Sequence, residues 1–277
     1  MSQEKQLIVV PDSSNRPEGV SHESPITPIR KNLDQGERKT VLAQIQVETA
    51  TVSPECRLTM VDEPRGLAAD RFRLLWMALR DRKRVSQIKT VLVTSPLPMD
   101  GKSTVAANLA TVLTERGKSS VLLVESDLHR PSICNMFGLS GGPGLAECIQ
   151  DGLSPLSVIR RVDPAPFYLL KAGEAKGSPS DLLQSTLFPT ILENIAGLFD
   201  WILIDSPPLA PLSDAVLLSK HADAIFLVVR ARNTPRDEVK RAVNLLGADR
   251  VTGIIFNGAE RLNKVYSKYS EYYGKHR

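Results

Sequence analysis

Four short stretches of this sequence, KTVLVTS, SSVLLVES, WILIDS and AIFLVVR, are apolar through their centres. A strand with one wet face alternates polar and apolar residues, so a strand without alternation is covered on both faces. Between and after these stretches lie segments of helical spacing: KSTVAANLATVLTERG, SDLLQSTLFPTILENIAGLF, SDAVLLSKHA and TPRDEVKRAVNLLG. Strand and helix therefore alternate, and FYLLKAG and VTGIIFN extend the series. That order predicts an α/β fold, a doubly wound and mostly parallel sheet with helices on both sides. A chain of 277 residues, 42% of them hydrophobic, is long enough to bury such a core. No internal repeat is evident.

The composition shifts near residue 60. Before it, SSNRPEGVSHESPITPIRKNLDQGERKT is rich in Pro, Ser and charge, and buries too little apolar surface to offset the entropy of ordering. Residues 1–60 are expected to be a mostly flexible arm, with QLIVV and VLAQIQV as short apolar islands. In DEPRGLAADRFRLLWMALRDRKR, Leu67, Phe72, Leu75, Trp76 and Leu79 recur near helical spacing and predict an amphipathic helix. The main domain is placed at residues 61–262. A tail over 263–277 holds four of the five tyrosines among Lys264, Lys268, Lys275 and Arg277. The lysines and serines between those tyrosines leave no apolar face to pack.

Other classes fit poorly. A net charge of +4 admits an anionic partner such as a nucleotide, but no arginine-striped helix with interleaved aromatics marks a nucleic-acid reader. Cys56, Cys134 and Cys148 lack C-x-x-C spacing, so reduced thiols are expected rather than disulfides or zinc. The N-terminus does not read as a signal peptide, and no apolar run approaches the roughly 18 residues of a membrane span. Any membrane role is expected to come through a partner.

In doubly wound folds ligands bind at the carboxyl ends of the strands. There the first apolar stretch runs into SPLPMDGKSTVAANLA. Gly101, Lys102 and Ser103 at a strand-to-helix junction form the core of a phosphate-binding loop, with Pro98, Met99, Asp100 and Thr104 completing it. Pro96 stands where the general pattern has its first glycine. The second stretch ends in VLLVESDLHRP, with Glu125 and Asp127 two residues apart, and a later one ends in ILIDSPP at Asp205. A lone aspartate at a strand end is usually a turn former or a cap. Two such ends, following a strand that ends in a Gly-Lys-Ser turn, point to a site for a nucleotide and Mg²⁺, with Asp205 a direct or water-mediated metal carboxylate.

Together SPLPMDGKST, VLLVESDLHRP and ILIDSPP resemble the Walker A, Walker A′ and Walker B set of the bacterial tyrosine autokinases (BY-kinases) of capsular and exopolysaccharide synthesis. LLKAGEAKGSPSDLLQS, AIFLVVRARNTPRDEVKRAVNLL and IIFNGAE are similar to further segments of that family. The resemblance implies a P-loop NTPase of ParA/MinD-like architecture that uses ATP and Mg²⁺. It implies that Lys102 and the loop amides hold the phosphates, and that Ser103, Asp127 and Asp205 serve the metal. Glu125, at the position of a family aspartate, would accept the phenol proton, and Asn257 would contact adenine. Tyr266, Tyr269, Tyr272 and Tyr273 would be the phosphoacceptors. Four phosphates would add on the order of −6 to −8 charge and reverse the sign of the tail. Expected partners are a membrane polysaccharide co-polymerase, further copies of the chain and a tyrosine phosphatase, with the protein cytoplasmic and peripheral to the inner face of the cell membrane. Three departures stand out: Glu125 for aspartate, His129 for the first of two arginines before Pro131, and Trp76 for the last arginine of a ring-forming pattern that begins Asp70, Arg73. Two other readings are a ParA/MinD-like positioning ATPase, against which Leu97 replaces a needed lysine, and a nucleotide-dependent scaffold that transfers no phosphate.

Overall fold

The computed structural model describes residues 33–52, 56–114, 117–211 and 213–259. The tyrosine cluster lies outside these residues, as does the first half of the expected arm. In chain order the elements begin α1 (Gln35–Ala43), β1 (Val47–Thr49), α2 (Thr59–Asp62), α3 (Leu67–Ser86), β2 (Thr90–Thr94) and α4 (Lys102–Leu113). They continue β3 (Val121–Glu125), α5 (Ile133–Phe137), α6 (Leu145–Gln150), α7 (Pro155–Val158), β4 (Arg160–Asp163) and β5 (Tyr168–Leu170). Then follow α8 (Pro179–Gln184), α9 (Leu187–Ala196), β6 (Trp201–Asp205), α10 (Asp214–Ser219), β7 (Ala224–Arg230), α11 (Arg236–Leu246) and β8 (Val251–Asn257).

The eight strands form one sheet in the order β1-β4-β5-β3-β6-β2-β7-β8, parallel throughout except where β4 meets β5. Successive residues of each central strand feed opposite halves of the core. Leu92, Leu122, Val124, Ile202 and Ile204 pack with Phe188, Ile191 and Ile195 of α9. Val91, Val93, Leu123 and Leu203 pack instead with Val105, Leu109 and Leu113 of α4. Burial on both faces is why these strands carry no polar alternation. The register sets Glu125 opposite Asp205, and Val93 opposite Asp205 on the other side, so β3, β6 and β2 end side by side.

The amphipathic helix forms as α3. Leu79 is buried, Phe72, Leu75 and Trp76 pack partly against the core, and Leu67 is exposed.

Within residues 1–60, where the sequence predicts a mostly flexible arm, the structure places α1 and β1. Asp34 and Glu37 cap α1 reciprocally, Leu42 and Ile45 are buried, and β1 pairs in register with β4. Arg38 donates to Asp200 at 3.0 Å, and Glu48 meets the buried Lys171 at 2.6 Å. The VLAQIQV island is the apolar face that docks. Its signal is diluted by the polar residues around it, and its strand partner RRVD is itself polar, with only Val162 buried. Docking of this segment has an energetic consequence. Leu42→Ala should lower unfolding free energy by about 2–3 kcal/mol, the usual cost of a core Leu truncation, measured by urea denaturation; a flexible arm would show no change.

Candidate active site

The loop between β2 and α4 turns at Gly101, whose φ of 92° lies in the left-handed region that favours glycine. A side chain there is also excluded by contact, because a Cβ would lie 2.0 Å from Asn257 Nδ2. Asn257, at the end of β8, donates from Nδ2 to the Asp100 carbonyl at 2.9 Å. The Asp100 carboxylate is buried; it accepts from Leu97 N at 3.1 Å and from the Thr234 hydroxyl at 2.7 Å. Two later parts of the chain thus hold the loop in shape. Pro98 and Met99 sit exposed at its tip, and Thr104 is half-buried in the first turn of α4.

Lys102 follows at the start of α4. Its Nζ lies 2.8 Å from Asp127 Oδ2, in a pair with side chains 12% and 5% exposed, and 3.3 Å from Ser103 Oγ. Burial works against the ammonium charge, but Asp205 and Asp127 outweigh it and hold the Lys102 pKa above its ordinary value. Asp127 Oδ1 accepts from Arg130 N at 3.0 Å. Asp205 is fully buried, and neither of its oxygens has a hydrogen-bond partner among the described residues. Burial lifts its pKa to about 6, against the pull of Lys102 and the Ser103 hydroxyl.

A buried carboxylate without a partner is costly, so this one calls for a cation or a donor that arrives with a ligand. Among the described residues no three His, Cys, Asp or Glu side chains form a ready metal cage. Mg²⁺ bound with a nucleotide needs none, since it takes one or two protein ligands and fills its shell with phosphate and water. Asp205 beside Ser103 fits that use, and the amides of Gly101 to Thr104 fit the phosphates.

The structure therefore brings together Lys102, Ser103, Asp127 and Asp205, with Asn257 bracing the loop. Glu125 ends β3 beside them. It is fully buried, and its oxygens accept from the amides of Ser132, Ile133 and Ala172. Three backbone donors thus occupy this carboxylate. Sequence reasoning also misses Thr234 and Asp214. Asp214 is fully buried and holds His129 Nε2 at 2.9 Å, joining the loop after β3 to the start of α10. Neither residue carries a spacing signal, because each acts on a partner far away in the chain. Cavities of about 460 and 850 Å³ open elsewhere, around Arg38, Lys118 and Arg161 and around Arg73, Trp76 and Pro164. Lys118, which lines both, precedes β3, at the opposite end of that strand from Asp127. The converging charges, rather than volume, mark the site.

The ParA family profile, described as a NUBPL iron-transfer P-loop NTPase, matches residues 87–276. Over 212 residues the chain is 30% identical to the tyrosine-protein kinase YwqD of Bacillus subtilis (strain 168), covering 76% of this chain and 87% of that one. This chain belongs to the BY-kinase family. The BY-kinase fold extends to the solved kinase domain of Escherichia coli tyrosine kinase ETK, with a TM-score of 0.71 at 24% identity over 84% of this chain and 97% of that one. The septum site-determining protein MinD from Pyrococcus horikoshii OT3, complexed with Mg-ADP, has a TM-score of 0.52 at 19% identity over 65% and 76% of the two chains. The expectation of a P-loop NTPase of ParA/MinD type holds.

Asp205 also makes a pH prediction for this BY-kinase. A folded-state pKa raised from 3.8 to about 6 means that the ionised carboxylate opposes folding above that range. In protein free of metal and nucleotide, Asp205→Asn should therefore raise unfolding free energy on the order of 2 kcal/mol at pH 8. The gain should fade as pH falls from about 6 towards 4, where the native carboxyl becomes protonated too. Urea denaturation of both proteins across that range measures it.

Proposed function

We propose that this BY-kinase transfers the γ-phosphoryl group of ATP to Tyr266, Tyr269, Tyr272 and Tyr273 of a neighbouring copy, and thereby regulates polymerisation and export of a capsular or extracellular polysaccharide. The observation that carries the reading is the convergence of Lys102, Asp127 and the unpartnered Asp205 from three adjacent strand ends on one glycine turn. When bound, Mg·ATP supplies the transferable phosphoryl group and the divalent charge that a crowd of carboxylates lacks.

The chain's own residues supply position and electrostatics, which is most of what phosphoryl transfer asks of a protein. Lys102 lies ready beside the loop amides to neutralise β- and γ-phosphate oxygens, held meanwhile by Asp127 at 2.8 Å. Ser103 and Asp205 are proposed to hold Mg²⁺, with Asp127 steering it or the attacking group. Asn257 is proposed to contact adenine while its Nδ2 keeps the loop in register. That the MinD neighbour is complexed with Mg-ADP supports this class of ligand.

Among the described residues no helix is long and apolar enough to cross a membrane. Contact with the inner face of the membrane is proposed to run through a polysaccharide co-polymerase that activates the kinase, with a tyrosine phosphatase resetting the tail. Nucleic acid is not a proposed partner.

The test is incubation with γ-labelled Mg·ATP followed by phosphotyrosine mapping. Lys102→Met should cut tyrosine labelling by about 100-fold or more, as loss of a phosphate-neutralising charge does, and changing the four tail tyrosines to Phe should remove it. Free phosphate without labelled tyrosine would mark a ParA/MinD-like ATPase instead, and nucleotide binding without turnover would mark a scaffold.

A further inference from the structure

We propose that Glu125 is a positioning residue whose carboxylate closes the Asp127 loop on its own root, and that it does not accept the phenol proton. Its Oε1 accepts from both Ser132 N and Ile133 N at 2.6 Å, and Oε2 accepts from Ala172 N at 3.3 Å. The loop leaves β3 at Glu125 and enters α5 at Ile133. One side chain therefore ties the loop's exit to its entrance and fastens both to the segment after β5.

Separate bonds brace the residues between those points. Ser126 N donates to the Asp205 carbonyl at 2.8 Å, Asp127 accepts from Arg130 N at 3.0 Å, and His129 reaches the buried Asp214 at 2.9 Å. The outcome is an Asp127 carboxylate fixed 2.8 Å from Lys102. Chain length at position 125 is what makes the closure work. An aspartate is shorter by one methylene, about 1.5 Å. Its oxygens would fall near 4 Å from the Ser132 and Ile133 amides, outside hydrogen-bonding range.

This inference rests on the kinase reading only for its activity readout. Two full-length variants separate it from a proton-accepting role, because the two roles predict opposite orders. Glu125→Gln keeps an acceptor oxygen for Ser132 and Ile133 but cannot take a proton; Glu125→Asp keeps the acid but loses the reach. Positioning predicts that E125Q retains tyrosine labelling within about five-fold. It predicts that E125D loses at least about ten-fold in kcat, a loss typical of misplacement by an ångström or so, with a smaller change in KM for Mg·ATP. Amide hydrogen exchange in nucleotide-free protein gives the second readout: protection at Ser132 and Ile133 should survive in E125Q and fall at least about ten-fold in E125D. An inactive E125Q with both amides still protected, or an E125D more active than E125Q, overturns the proposal. So does loss of protection in E125Q. A wild-type protein that labels no tyrosine defeats the kinase reading alone, and the exchange comparison still decides the closure.

Discussion

One ammonium faces three carboxylates in this site, and all four groups are largely withdrawn from water. Buried charge is tolerated only when something answers it. Glu125 is answered by three backbone amides, and Asp127 by Lys102 and the Arg130 amide. Asp205 has no hydrogen bond of good geometry among the described residues, and the nearby Lys102 and Ser103 hydroxyl only partly offset the cost of its burial. The electrostatic cost is therefore concentrated on one carboxylate, at the place where an arriving cation would relieve it. A protein selected for stability alone would not leave a bare carboxylate there; one that must bind a metal with its nucleotide has reason to.

The phosphate loop is held as firmly by later parts of the chain as by its own turn. Gly101 permits the left-handed backbone, while Asn257 and Thr234 hold Asp100 from β8 and from the loop after β7. β7 pairs with β2 and β8 pairs with β7, so the loop acquires its shape only once this edge of the sheet has paired. Asn257 then has two physical duties if it contacts adenine, and its position against the Gly101 turn makes any larger side chain at either residue disruptive.

What the sequence shows and what it hides divide along physical lines. The central strands are legible because burial on both faces erases alternation, and the Gly-Lys-Ser turn is legible because its chemistry is local. Segment α1–β1 is hidden because a short apolar island among polar residues looks the same whether or not a partner exists for it, and its partner β4 has a polar sequence. Asp214 and Thr234 are hidden because each meets a residue 85 or 134 positions away. The use made of Glu125 is hidden for another reason. Its partners are backbone amides, which every residue but proline has, so no residue type announces them.

The place of Glu125 bears on how little acid–base help tyrosine transfer requires. A phenol with a pKa near 10 is mostly protonated at neutral pH, which makes a nearby base look necessary. Yet the transition state for phosphoryl transfer is loose, with little bond formation to the incoming oxygen, so the proton can leave late and the carboxylates need only orient and neutralise. For the proposed transfer, that regime asks more of a rigid Asp127–Lys102 pair than of a mobile acid at position 125. The extra methylene of Glu125 and the imidazole of His129 then act together: both fasten the loop that carries Asp127, one to its own root and one to α10. Two departures from the family pattern are, in the folded chain, two fixings of one loop.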